Sequence, residues 1–262
     1  MKMFNLSRCN VITTLVCLTL AFVASGLSAQ EAKPAAKQSL TIEGSTTVGP
    51  ISDVVKEYFE KQNSGLSVTV KNTGSGNGAA ALIDGRCDIA TMSRFMKPEE
   101  FKKAVEKGVT PVAHVVALDA VCMIVNPENQ VLGLSSAQVK DIYAGKIKNW
   151  KDVGGADMAI VPIGRDSSSG TFEAFAELVM KKEKLADNVQ AASTNKDVHE
   201  RVSSTKGAIG YVGLGFIDNK VRGLNIDGIT PSKKTISSGK YPHSRPLFMF
   251  TNGYPAMGSA VH

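Results

Sequence analysis

Apolar and polar positions fall into two regimes along most of the chain, brief runs with a period near two and longer stretches with helical spacing, which is the punctuation of an α/β protein. Residues 40–43 read as a strand. Residues 51–62 place Ile51, Val54, Val55, Tyr58 and Phe59 on one helical face, and residues 66–71 alternate as a strand. A glycine-rich turn then leads to a short helix over 79–84, a strand over 88–91 and a helix over 98–107 with Pro98 in its first turn, where proline is favoured. The apolar stretch 112–125, with Leu118-Asp119 at its middle, predicts two consecutive strands.

Beyond Asn126-Pro127 the alternation starts again. It predicts helices over 135–143, 172–184 and 196–203, and strands over 159–163 and 208–212. The segment 145–155 holds the single Trp. From Ser232 the chain is polar and proline-containing until a last apolar run over 247–250. The second half therefore reads as another α/β unit. A length of 262 residues suits two cores, since domains commonly run to roughly 100 to 200 residues each.

The first 29 residues are a separate matter. Lys2 and Arg8 precede an apolar run over 11–23 that ends in small residues, the layout of a secretory signal peptide with cleavage expected after Ala29. That run is well short of the ~20 residues a membrane-spanning helix needs. Cys17 follows Val16, where a lipoprotein signal wants a small residue, which argues against a lipid anchor. Losing Lys2 and Arg8 takes the formal charge from +6 to +4, a mild bias towards anions. With only 6% aromatic residues and no basic cluster beside rings, the composition gives no argument for nucleic acid, and none is expected as a partner. Of four cysteines, Cys87 and Cys122 survive processing; both sit in apolar runs, so a disulfide and two buried thiols are equally good accounts.

The chemistry lies in the loops that lead into helices. Gly44-Ser45-Thr46-Thr47 precedes the first helix, Gly74-Ser75-Gly76-Asn77-Gly78 the second, Ser93-Arg94 the third, and Arg165-Asp166-Ser167-Ser168-Ser169-Gly170-Thr171 the helix at Phe172. A helix N-terminus exposes backbone N–H groups and the positive end of the helix dipole, so Ser, Thr and Gly there can wrap an anion in donors without bulk. Arginine adds a planar fork suited to tetrahedral oxyanions. The same residues also serve as ordinary helix caps, and for any one loop capping is the better account. Four such loops favour the anion. They would gather at the carboxyl edge of a parallel sheet, where α/β proteins bind ligands. No G-x-x-x-x-G-K-[ST] element or dinucleotide fingerprint is present, so a nucleotide enzyme is disfavoured.

Six segments carry a resemblance: Glu43 to Pro50, Asn72 to Gly78, Asp88 to Arg94, Lys148 to Gly155, Gly164 to Thr171 and Gly207 to Val212. In order and content they are similar to the phosphate-binding proteins of bacterial phosphate ABC transporters, and R-x-x-x-S-G-T is the most specific of them. The resemblance implies a type II periplasmic-binding-protein fold: two lobes, each a mostly parallel sheet flanked by helices, joined by crossover strands. It implies a signal peptide at 1–29, a linker at 30–39, a first lobe at 40–118 completed by about 235–262, and a second lobe at 119–234.

The function it implies is binding of inorganic phosphate between the lobes and delivery to a membrane permease, in the periplasm or otherwise outside the cell, by a monomer with no cofactor and no catalysis. Carried over by position, the phosphate contacts are Thr46, Thr47, Ser75, Ser93, Arg94, Arg165, Ser169, Gly170 and Thr171. Two departures matter. Some members have an aspartate where Arg94 stands, and that carboxylate accepts the proton of hydrogen phosphate; here the acceptor is expected elsewhere, at Asp166 or a backbone carbonyl. The family also usually continues with a helix after the last strand, so the first lobe is expected to lack a cover. The alternatives are the same fold binding sulfate or another oxyanion, and a secreted phosphatase, although His114, His199, His243 and His262 are scattered and no G-x-S-x-G is present.

Overall fold

A computed structural model describes residues 38–262. The expected signal peptide lies outside the described residues, as does the expected linker except for its last two positions. In chain order the elements are β1 (Gln38–Gly44), α1 (Gly49–Gln62), β2 (Leu66–Lys71), α2 (Ser75–Ile83), β3 (Ile89–Met92), α3 (Pro98–Glu106), β4 (Pro111–Val125), β5 (Gly133–Leu134), α4 (Ser136–Tyr143), β6 (Val161–Arg165) and α5 (Gly170–Leu178). They continue with β7 (Gln190–Ala192), α6 (Asn195–Ser204), β8 (Ala208–Gly213), β9 (Arg222–Gly223), β10 (Asn225–Ile226), α7 (Lys233–Ser237) and β11 (Ser244–Asn252).

The strands follow one path, β2-β1-β3-β11-β4-β8-β6-β7, which divides into two lobes. In the first, β1 pairs parallel with β2 and β3; in the second, β6 pairs parallel with β7 and β8. Between them run β4 and β11, antiparallel to each other. The expectation of two strands over 112–125 is corrected: β4 is one strand of 15 residues. Its first half pairs with β11 and its second half with β8 and β9, so Leu118-Asp119 marks a change of partner rather than a turn. The crossover strands are thus β4 and β11.

Each lobe has its own core. In the first, Ala79, Leu82, Ala90, Met92, Ala104, Phe248 and Phe250 pack on one side and Leu40, Ile42, Val68 and Ile89 on the other. In the second, one side holds Met123, Tyr143, Trp150, Phe175 and Tyr211, and the other Ile124, Ile163, Val198 and Val202. The Phe175 and Tyr211 rings stack with centroids 4.0 Å apart, fixing α5 against the second sheet. Cys87 and Cys122 are free and buried, one in each lobe's core. Burial pushes the Cys87 thiol up to about 12 and raises Cys122 further in the same direction.

Three element readings differ from expectation. α2 begins at Ser75, a turn early, because Gly74 at φ 105° supplies the sharp entry that only glycine adopts easily. α5 ends at Leu178, and Lys181 and Lys182, both at positive φ, carry the chain away. The apolar face assigned to α1 is turned outward: Val54, Tyr58 and Phe59 are exposed, and the helix buries Gly49 and Ser52 instead. A Cβ at Gly49 would come within 2.5 Å of Asn72 Oδ1, so the helix approaches its neighbours through its smallest residues.

Candidate functional site

The carboxyl ends of β1, β3, β6 and β7 open onto one edge, and the loops that follow them hold most of the expected site residues. From the first lobe come Ser45, Thr46 and Thr47 after β1, Ser75 at the start of α2, and Ser93 after β3; all are buried. From the second come Arg165 at the end of β6 and Ser169, Gly170 and Thr171 at the start of α5, also buried.

These residues meet across the cleft. Thr47 Oγ1 lies 2.9 Å from Thr171 Oγ1, and the Gly76 amide donates to the Ser168 carbonyl at 3.0 Å. Ser75 Oγ accepts from the Ser93 amide at 3.1 Å. Gly170 packs against both serines, and a Cβ there would lie 2.8 Å from Ser93 Oγ, so any larger residue would push the lobes apart. Ser169 Oγ accepts from the Phe172 amide at 3.2 Å as an N-cap, which leaves Gly170 and Thr171 to present their N–H groups at the helix end. Capping and an anion-binding helix end therefore coexist in this loop.

Arg165 is held by backbone carbonyls. Its Nε donates to Ala192 O at 3.1 Å and its Nη2 to Ser193 O at 2.7 Å, while Nη1 is buried with no partner among the described residues. Burial pulls its pKa below the ordinary arginine value; Asp166 pushes back, and the like charge of Arg245 adds to the fall. A buried cation with one unspent donor favours an anion beside it.

Arg94 is placed differently from expectation. Its Nη1 and Nη2 donate to Glu100 Oε2 and Oε1 at 2.8 and 2.7 Å, and Nε lies 2.6 Å from Glu173 Oε2. Lys97 Nζ reaches the other oxygen of Glu173 at 2.9 Å. The Nη atoms of Arg94 are thus taken up by Glu100 while Nε, buried without a hydrogen bond of its own, is paired in charge with Glu173, so the carboxylates join α3 to the first turn of α5 across the cleft and the Ser75–Ser93 cluster forms without this guanidinium. Asp166 Oδ1 accepts from both the amide, at 2.8 Å, and the hydroxyl of Ser168.

Three residues that sequence reasoning missed complete the cluster. Arg245 on β11 and Asp119 on β4 form a buried ion pair with Nη2 3.0 Å from Oδ2. Arg245 also donates to Ser93 O at 3.2 Å and to Thr171 Oγ1 at 3.1 Å, and Asp119 Oδ1 accepts from the Leu214 amide at 2.8 Å. The third is Asn195, buried at the start of α6. In the sequence these were a turn residue in an apolar run, a charge before a proline and one residue after a capping threonine; only their shared burial could have marked them.

Histidines stand apart from the cluster: His199 pairs with Asp218 at 2.8 Å, His114 with Thr251 at 2.9 Å, and His243 lies 3.5 Å from Ser136 Oγ. Among the described residues no group of three His, Cys, Asp or Glu side chains is arranged to hold a metal, and no helix is long and apolar enough to cross a membrane.

A sequence model of the PBP superfamily domain matches residues 29–260. The phosphate-binding protein PstS of Bacillus subtilis is 33% identical over 219 residues, covering 83% of this chain and 71% of the relative. That of Staphylococcus epidermidis is 36% identical over 228 residues, covering 82% of this chain and 69% of the relative. Among solved structures, a Clostridium perfringens substrate-binding protein assigned to phosphate ABC transport, solved with phosphate bound, superposes with a TM-score of 0.79 at 32% identity and covers 84% of this chain and 89% of that one.

Proposed function

The chain belongs to the PBP superfamily and to its phosphate-binding, ABC-transporter branch, and from that premise we propose that it binds inorganic phosphate between its lobes and delivers it to a membrane permease. What supports the reading is that Thr46, Thr47, Ser75, Ser93 and Thr171 are buried together from both lobes, with Thr47 and Thr171 in contact, at the sheet edge where Arg165 ends β6 with its Nη1 unpaired among the described residues. Thr46, Thr47, Ser75, Ser93, Ser169 and Thr171 donate hydroxyl or backbone hydrogens, Gly170 allows the close approach, and Arg165 supplies charge. Arg94 contributes through its backbone and through closure of the cleft. The lobes run over 40–118 with about 235–262, and over 119–234, with β4 and β11 as the hinge.

Taking a divalent anion out of water is costly unless many donors meet it, and this donor set is complete only when the lobes touch. Phosphate therefore favours the closed form, and closure of this kind is the general behaviour of periplasmic binding proteins. A permease can distinguish that form from the open one. The protein acts outside the cytoplasm as a carrier and not as an enzyme, in keeping with histidines that pair away from the cleft.

Because Arg94 replaces an acceptor carboxylate and the donors so far named suit any tetrahedral oxyanion, sulfate is the second reading. Competition calorimetry on the mature protein separates the two. Tight phosphate binding that arsenate displaces and excess sulfate does not supports the assignment, and preference for sulfate overturns it.

A further inference from the structure

Three threonine hydroxyls in the cleft are held by side chains that can only donate to them. Asn195 Nδ2 donates to Thr46 Oγ1 and to Thr47 Oγ1, each at 3.0 Å. The amide cannot be turned over, because Asn195 Oδ1 accepts from the Gly213 amide at 3.2 Å. On the other side Arg245 Nη2 donates to Thr171 Oγ1 at 3.1 Å, with Asp119 anchoring the guanidinium.

A hydroxyl has one hydrogen and two lone pairs, so the hydrogens can be counted. Thr47 and Thr171 share one between their oxygens, 2.9 Å apart. If Thr47 donates it, Thr171 already accepts from Thr47 and Arg245, and its own hydrogen must point elsewhere. If Thr171 donates it, Thr47 already accepts from Asn195 and Thr171, and the same holds for Thr47. In both cases one hydrogen of this pair, together with that of Thr46, has no acceptor among the described residues. Arg165 Nη1 is a third such donor.

We propose that Asn195 and Arg245 are positioning residues that fill the acceptor side of these threonines, so that in the closed site the freed threonine hydrogens point to the ligand as donors. Asn195 stands on the second lobe and Thr46 and Thr47 on the first, so the threonines are set in this way only when the cleft shuts. Closure thus creates part of the binding chemistry as well as enclosing the ligand. The inference rests on the phosphate reading of the site.

The test is calorimetry with inorganic phosphate on the mature wild type, Asn195→Ala and Asn195→Asp at pH 8 and pH 4.5, with melting curves to establish folding. Asn195→Ala is expected to lose about tenfold in affinity, the scale of one strong hydrogen-bond contribution. Asn195→Asp is expected to lose more at pH 8, where a carboxylate only accepts and turns the hydroxyl hydrogens inward. Measured against wild type at each pH, it should recover at pH 4.5 and surpass Asn195→Ala, because burial at this position lifts the new carboxyl above its free value of ~3.9, so that it is protonated there and donates again. Relief of charge repulsion or repair of packing would not carry it past alanine. Thr46→Val, which removes one freed hydrogen while leaving Asn195 and its bond to Thr47 in place, should cost a similar factor. An Asn195→Ala affinity within about twofold of wild type, an aspartate variant that never passes alanine, or an unaffected Thr46→Val overturns the inference while leaving the phosphate reading intact. A wild type that binds no phosphate overturns both.

Discussion

At the scale of single residues, Arg165 carries the most weight in the site because it is a buried cation with a donor left over. A charged hydrogen bond is worth roughly 1.5 to 3 kcal/mol, so Arg165→Ala should weaken phosphate binding by at least about tenfold by calorimetry. A smaller loss would remove Arg165 from the ligand shell. His243 makes a different prediction, about stability. It is buried beside β11, and desolvation lowers its pKa to about 4 despite the nearby carboxylate of Asp227. The unfolded chain, with a histidine near 6.5, therefore binds the proton first. Stability from this group is present above pH 6.5 and is lost as the pH falls towards 4, by an order-of-magnitude 3 kcal/mol. Denaturant unfolding of His243→Gln should show a shallower decline than wild type across that window, and parallel declines would contradict the assignment.

Elements matter for how the two lobes are held together. The Arg94–Glu100 pair lies within the first lobe, and Glu173 adds its carboxylate from the first turn of α5, where the helix dipole favours negative charge. Opening the cleft would separate Glu173 from Arg94 and Lys97. Glu173→Gln should therefore lower phosphate affinity by about fivefold, near 1 kcal/mol, with no change in a direct ligand contact, and the wild-type affinity should fall more steeply with salt than that of the variant. Equal affinity would mean that the network does not bear on closure. Much of this level was legible in the sequence: β1 and β2, α3, α6 and β8 follow directly from period and capping. What was not legible depends on long-range partners. Whether an apolar run of 15 residues is one strand or two is decided by which strands flank it, and β4 has different neighbours in its two halves. The outward face of α1 and the inward roles of Asn195, Asp119 and Arg245 were hidden for the same reason: burial is a property of the fold and not of a local window. The loops with Ser, Thr, Gly and Arg could be read because a helix end has the same chemistry wherever it is packed.

For the whole molecule, two compact lobes on a pair of crossover strands make a hinge, and the donors are divided between the lobes. Phosphate should accordingly reduce the radius of gyration in solution scattering, and binding without contraction would rule out ligand-driven closure. Closure matters because it brings chemical groups far apart in the sequence together on one anion. A crystal structure of the mature protein grown with phosphate tests it most directly. A single phosphate is expected at the N-termini of α2 and α5, within hydrogen-bonding reach of Thr46, Ser75, Arg165 and Thr171 at once. Phosphate bound elsewhere, or touching the groups of one lobe alone, would contradict it.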